Sequence, residues 1–127
     1  MRNQIKFTFQ IGYAKQNDAF EADIITAASR HCGGCTTSSK DGWWMDDGDA
    51  KKDTFRGHLF AEHCFELELT CEEHKAERAY FAVQQAICDA VLKHGVDTNW
   101  VHVTETPMTG RHFSVSALLA EREEVAA

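Results

Sequence analysis

Residues 31–48 read HCGGCTTSSKDGWWMDDG, and the fold turns on how this stretch is divided. It holds a C-x-x-C pair, two glycines between the cysteines, and a tryptophan pair framed by turn-forming residues. A metal site, a redox site, and a helix end running into a hairpin all compete for it. Upstream, Asn17 and Asp18 are N-cap candidates, and Phe20, Ile24, Ile25 and Ala28 follow at helical spacing. Glycine takes the left-handed C-terminal conformation at little cost, so this helix is expected to stop at Gly33 or Gly34. A thioredoxin-type pair needs its nucleophilic thiol at a helix N-terminus, where the dipole favours thiolate. Cys32 and Cys35 fall at the opposite end, and the order H-C-x-x-C is not the C-x-x-C-H of haem attachment. The third reading is favoured: the glycines end a helix, residues 36–39 run extended, 40–42 turn, and 43–45 return.

Working outward, Ile5, Phe7, Phe9 and Ile11 alternate with Lys6, Thr8 and Gln10, which predicts a half-buried strand. A second alternation over residues 60–69 sets Phe65, Leu67 and Leu69 against Cys64, Glu66 and Glu68. Thr70 and Glu73 have capping-box spacing before a helix expected to reach His94, with Ala76, Tyr80, Val83, Ile87 and Val91 as its apolar stripe. Gly95 ends that helix. Residues 100–105 read as a strand, 107–110 as a turn, and 111–115 as its hairpin partner. The pattern is a two-layer α+β sandwich, ferredoxin-like, strand-helix-strand-strand-helix-strand with an extra C-terminal hairpin strand. Both helices cover one face of the sheet and leave the other open. Residues 1–116 form one domain, and 117–127 a short C-terminal helix or tail.

At 127 residues the chain can bury a core without covalent staples. The formal charge of −7 argues against long nucleic acid, whose phosphates need clustered Lys and Arg. It leaves room for a small phosphorylated ligand or a basic protein surface. No segment has the length and apolarity of a membrane span, and the N-terminus lacks the uninterrupted apolar core of a signal peptide. Five cysteines cannot all pair within the chain, which suits reduced thiols and a cytoplasmic setting.

Each chemistry-bearing group also has a plain structural reading. Cys32 and Cys35 with His58 and His63 offer four zinc-type ligands, but 22 residues separate Cys35 from His58 and no second C-x-x-C exists. Free thiols are preferred, so no cofactor is expected, with zinc the alternative. Asp46, Asp47 and Asp49 around Gly48 lack the EF-hand spacing and its final Glu. If the last hairpin turns near Met108, residue 102 lies opposite 114 and 104 opposite 112, so His102, Thr104, His112 and Ser114 share one face. These His-x-Thr/Ser pairs resemble those of the two-histidine phosphoesterases, in which the motifs come from separate halves of the chain. A polar, water-facing strand pair is the bland reading and is favoured over catalysis. Trp43 and Trp44 point to opposite faces of a strand, so one is left exposed to stack on a base or anchor a partner. Arg56 and Arg111 are the guanidinium groups suited to planar phosphate.

Gly33-Gly34-Cys35-Thr36, then Gly42-Trp43-Trp44 and Asp47-Gly48, resembles a set of small bacterial and phage α+β proteins with a GG-x-T … G-W … D-G segment. No activity is established for that set, so the resemblance implies a fold and no catalytic residue. The leading expectation is a non-enzymatic module that binds a small polar ligand, a nucleotide among the candidates, as a homo-oligomer. A phage-type sequestering protein fits that description. Its binding residues are expected among Trp43, Trp44, Arg56, His102, Thr104, Arg111 and His112. The alternatives are an acidic protein inhibitor that covers a basic surface of a host machine, and a histidine- or metal-dependent phosphoesterase.

Overall fold

A computed structural model describes residues 2–48, 51–98 and 100–126. Strand β1 (Arg2–Tyr13) leads into helix α1 (Asp18–Cys32), followed by β2 (Thr36–Met45) and β3 (Leu59–Glu72). Helix α2 (Ala76–His94), β4 (Val101–Gly110) and helix α3 (Val115–Ala126) complete the chain. The sheet is antiparallel throughout, in the order β2-β3-β1-β4. This strand order and the β-α-β-β-α-β connectivity are those of the ferredoxin-like sandwich.

The alternation in β1 decides which side is covered. Phe7, Phe9, Ile11 and Tyr13 are at most 2% exposed and pack with Phe65, Leu67 and Leu69 of β3 beneath the two helices. Phe20, Ile24 and Ala28 of α1 and Ala76, Ala79, Val83, Ile87 and Ala90 of α2 close this core from above. Burial of each large apolar side chain stabilises the fold by about 1.5–3 kcal/mol. Both ends of α1 and the C-terminus of α2 are capped as the sequence predicts. The Asn17 side chain accepts from the Phe20 N–H at 3.0 Å, and Gly33 and Gly95 sit at φ 81° and 62° after their helices.

Three local expectations are corrected. Residues 40–42 do not turn: β2 is a single strand, with Lys40 opposite Cys64, Gly42 opposite Glu62 and Trp44 opposite Phe60. The fourteen-residue β3 supplies a continuous ladder for it, so pairing overrides the turn propensity of Lys-Asp-Gly. The capping box at Thr70 and Glu73 does not form, because β3 runs on to Glu72 and one 3-10 turn, Glu73–Lys75, intervenes before α2. The extra C-terminal hairpin strand is also replaced. β4 continues through residues 107–110 against β1 as far as Gly110, and residues 111–114 lead directly into α3. β4 is an edge strand, where a proline such as Pro107 is tolerated without breaking the sheet.

Candidate ligand-binding face

The side of the sheet away from the helices is uncovered, and alternation fixes what it carries. β2 contributes Thr36, Ser38, Lys40, Gly42 and Trp44; β3 contributes Phe60, Glu62, Cys64, Glu66, Glu68 and Thr70. From β1 and β4 come Lys6, Thr8, Gln10, Gly12, His102, Thr104 and Thr106. The middle of this face is cross-linked. Lys40 Nζ lies 3.0 Å and Gln10 Nε2 2.9 Å from Glu66 Oε2, and Lys6 Nζ lies 2.9 Å from Glu68 Oε1. Gln10 and Lys40 hold the Glu66 carboxyl below its ordinary range.

At one end an aromatic pair spans the sheet. The Trp44 indole from β2 lies parallel to the His102 imidazole from β4, with ring centroids 5.6 Å apart and planes 2° from parallel. Two glycines give these groups room. A Cβ on Gly42 would stand 2.8 Å from Trp44 Nε1, and one on Gly12 would stand 2.2 Å from Glu62 Oε1. Gly42 is therefore a strand residue that lets the indole of Trp44 lie across it. Glu62 occupies the space over Gly12, and burial together with the Asp97 carboxylate raises its pKa. The indole Nε1–H is buried and has no hydrogen-bond partner. Buried donors are rarely left so, and such an atom marks a place where a ligand acceptor would be satisfied.

Of the seven residues expected to bind, the structure brings three together: Trp44, His102 and its neighbour on the same face of β4, Thr104. Trp43 points to the other side of the sheet and is 63% exposed. Arg56 lies in the loop between β2 and β3, where its backbone N–H donates to Asp47 Oδ2 at 2.9 Å. Arg111 and His112 follow β4, beyond the last register pair at Gly110. Thr104 pairs with Thr8 of β1, so the expected apposition of Thr104 with His112, and of His102 with Ser114, does not occur. Glu62 and the two glycines were missed. The G-x-W spacing of Gly42 and Trp44 was the available signal, since Gly in a strand marks a close approach.

The residues weighed as zinc ligands lie in separate settings. The Cys32 thiol is hydrogen-bonded to Cys71, and burial raises its pKa to about 11, with Cys71 and Cys35 adding to the shift. His63 is bonded to Glu21 at 2.9 Å, whereas His58 flanks Asp46 in the exposed loop. Asp49 lies outside the described residues. Among the described residues no three His, Cys, Asp or Glu side chains are arranged to hold a metal ion. A shallow concavity lined by Asn3, Glu72, Glu73 and His74 lies at the far end of β1 from Gly12.

No family model and no curated protein matches the sequence. Solved structures do match in shape. CutA1 from the psychrotrophic bacterium Shewanella sp. SIB1 is 12% identical, with 96% of this chain and 94% of that one covered at a TM-score of 0.53. A phage SAM lyase in complex with S-methyl-5′-thioadenosine is 11% identical, covering 90% and 95% of the two chains at a TM-score of 0.50. B. subtilis GlnK is 14% identical, covering 80% and 85% at a TM-score of 0.48. The shared property is the fold. No helix among the described residues is long and apolar enough to cross a membrane.

Proposed function

We propose that this chain is a non-enzymatic binding module that seats a small polar ligand of nucleoside or nucleotide type on the open sheet face. The observation that carries the reading is the parallel Trp44–His102 pair beside an unpartnered indole N–H. An indole face held flat by a second ring is already ordered for stacking on a base, so little entropy is lost when the base arrives. Thr104 and Gln10 offer hydroxyl and amide partners to a sugar, and Glu62 offers acceptors to its diol. The phage SAM lyase of similar fold, solved with a thionucleoside, supports a ligand of this size. Five free cysteines suit a reducing, cytoplasmic setting.

The module acts as a homo-oligomer. Helix α3 buries none of its residues and carries Val115, Leu118, Leu119 and Val125 exposed, while Trp100 and Phe113 are 80% and 76% exposed. Apolar surface of that extent on a small chain is the kind that subunit contacts cover.

The test is a thermal-shift screen of nucleosides and nucleotides, followed by calorimetric titration of Trp44→Ala. Base stacking on one aromatic contributes about 1–3 kcal/mol, so the variant should lose about ten- to a hundredfold in affinity. If no member of the panel raises the melting temperature, the reading is wrong.

A further inference from the structure

Resting on that reading, we propose that the ligand carries no phosphate: the Trp44–His102 platform with Glu62 selects a neutral or cationic nucleoside over a nucleotide. The charges on this face set the selectivity. Among the described side chains, β1, β2 and β3 place two lysines, Lys6 and Lys40, on this side against Glu62, Glu66 and Glu68, while Glu72, at the far end, is paired with Lys75. Both lysines are engaged, Lys6 by Glu68 at 2.9 Å and Lys40 by Glu66 at 3.0 Å. A phosphate here would have to draw a lysine away from its carboxylate and would then face that carboxylate unpaired.

The group left beside the aromatic pair is itself acidic. Glu62 lies over Gly12 and opposite Gly42, the residue across which the indole lies. No described cation pairs with it, and the charge that acts on it is the like charge of Asp97. A carboxyl in that position repels a 5′-phosphate and attracts an ammonium or similar cation, for which the indole face adds a cation–π contact. Of the two guanidinium groups singled out for phosphate, Arg56 is in the β2–β3 loop and Arg111 lies past the end of β4. The buried indole N–H would be satisfied by a hydrogen-bond acceptor of the ligand, a base nitrogen or carbonyl among them.

Calorimetric titration tests this with adenosine, guanosine, cytidine and uridine, each beside its 5′-monophosphate and its 5′-amino-5′-deoxy analogue. The expected order for whichever base binds is amino analogue, then nucleoside, then monophosphate, with the last about tenfold or more weaker than the nucleoside. Glu62→Gln should abolish the advantage of the amino analogue, so that it and the parent nucleoside bind the variant within about twofold of each other. Monophosphate binding tighter than the nucleoside, in a manner that Trp44→Ala abolishes, would overturn the selectivity while leaving the platform standing. Failure of every compound to bind would overturn the platform and the selectivity together.

Discussion

Removing the Glu21 carboxyl should cost this fold more than a typical buried-residue change. Glu21 is 8% exposed and is the buried charged side chain among the described residues. Its Oε2 accepts the Tyr13 hydroxyl and lies 2.9 Å from His63 Nε2, so one carboxylate ties α1 to β1 and β3. Tyr13 is 2% exposed, and its oxygen already accepts from the Asn17 backbone N–H at 3.1 Å. In Glu21→Ala the hydroxyl proton has no water to turn to, and an orphaned buried donor costs about 1–3 kcal/mol. The lost methylene adds about 0.8 kcal/mol, so about 3 kcal/mol in total is expected. Unfolding entropy near 2.1 cal/mol/K per residue over 127 residues converts this to a melting temperature lowered by about 11 °C. His63 contributes less, because its side chain is 14% exposed and can reach solvent. Glu21→Gln keeps an acceptor for Tyr13 and should cost about 1 kcal/mol, or about 4 °C. Calorimetric melts of the three proteins at neutral pH decide the matter. An alanine variant within about 3 °C of wild type, or a glutamine variant as unstable as the alanine one, would refute the account of this triad.

The same burial sets an alkaline limit. Desolvation and the Glu21 contact raise the Tyr13 pKa above its ordinary 10.0, so the folded state keeps a proton that the unfolded chain releases. Stability is full below pH 10 and should fall above it by about 1.4 kcal/mol per pH unit, a slope that Tyr13→Phe removes from urea titrations at pH 10 and 11. Thiol labelling at pH 7.5 should modify exposed Cys88 first, with Cys32, held near 11, and buried Cys64 and Cys71 lagging until urea opens the fold. Equal rates for all would contradict the placement of Cys32. Gly33→Ala forces a Cβ onto a backbone at φ 81°, and should lower stability by about 1 kcal/mol in chemical denaturation, with no neighbour crowded. Gly12→Ala should change stability by less than about 1 kcal/mol, since the clashing atoms are the flexible end of Glu62. It should nonetheless expel that carboxyl and lower affinity for the amino nucleoside in titration.

The layers of this fold were legible because they depend on periodicities that local sequence displays. Phe7, Phe9 and Ile11 repeat every second residue and enter the core; Phe20, Ile24 and Ala28 repeat at helical spacing and do the same. Asn17 and Gly33 punctuate α1 by side-chain and backbone chemistry that needs no tertiary partner. Where the reading failed, a distant strand decided. Residues 40–42 would turn in an isolated peptide, and residues 107–110 likewise; each instead lies along a long neighbour, β3 or β1, that satisfies its backbone. Local chemistry was a fair guide only until a longer ladder outweighed it.

The site follows the same logic more sharply. Alternation alone places Thr104 and His102 on one face, and of two adjacent tryptophans one, Trp44, points to that face as well. The hairpin that was to bring His112 to them required a turn at Met108, and losing it moved His112 off the strand. What replaced it cannot be read from any single segment: Trp44 and His102 are on β2 and β4, the two edges of the sheet, and meet across β3 and β1. Gly42 leaves the space over which the indole lies, and Gly12 leaves the space that Glu62 occupies. With no side chain on Gly12, the Glu62 carboxyl can lie across that backbone. The pattern in which Gly42 faces Glu62, and Glu62 lies on Gly12, therefore makes the acid part of the platform and not an incidental neighbour of it. That is the physical reason to expect charge, as well as shape, to choose the ligand.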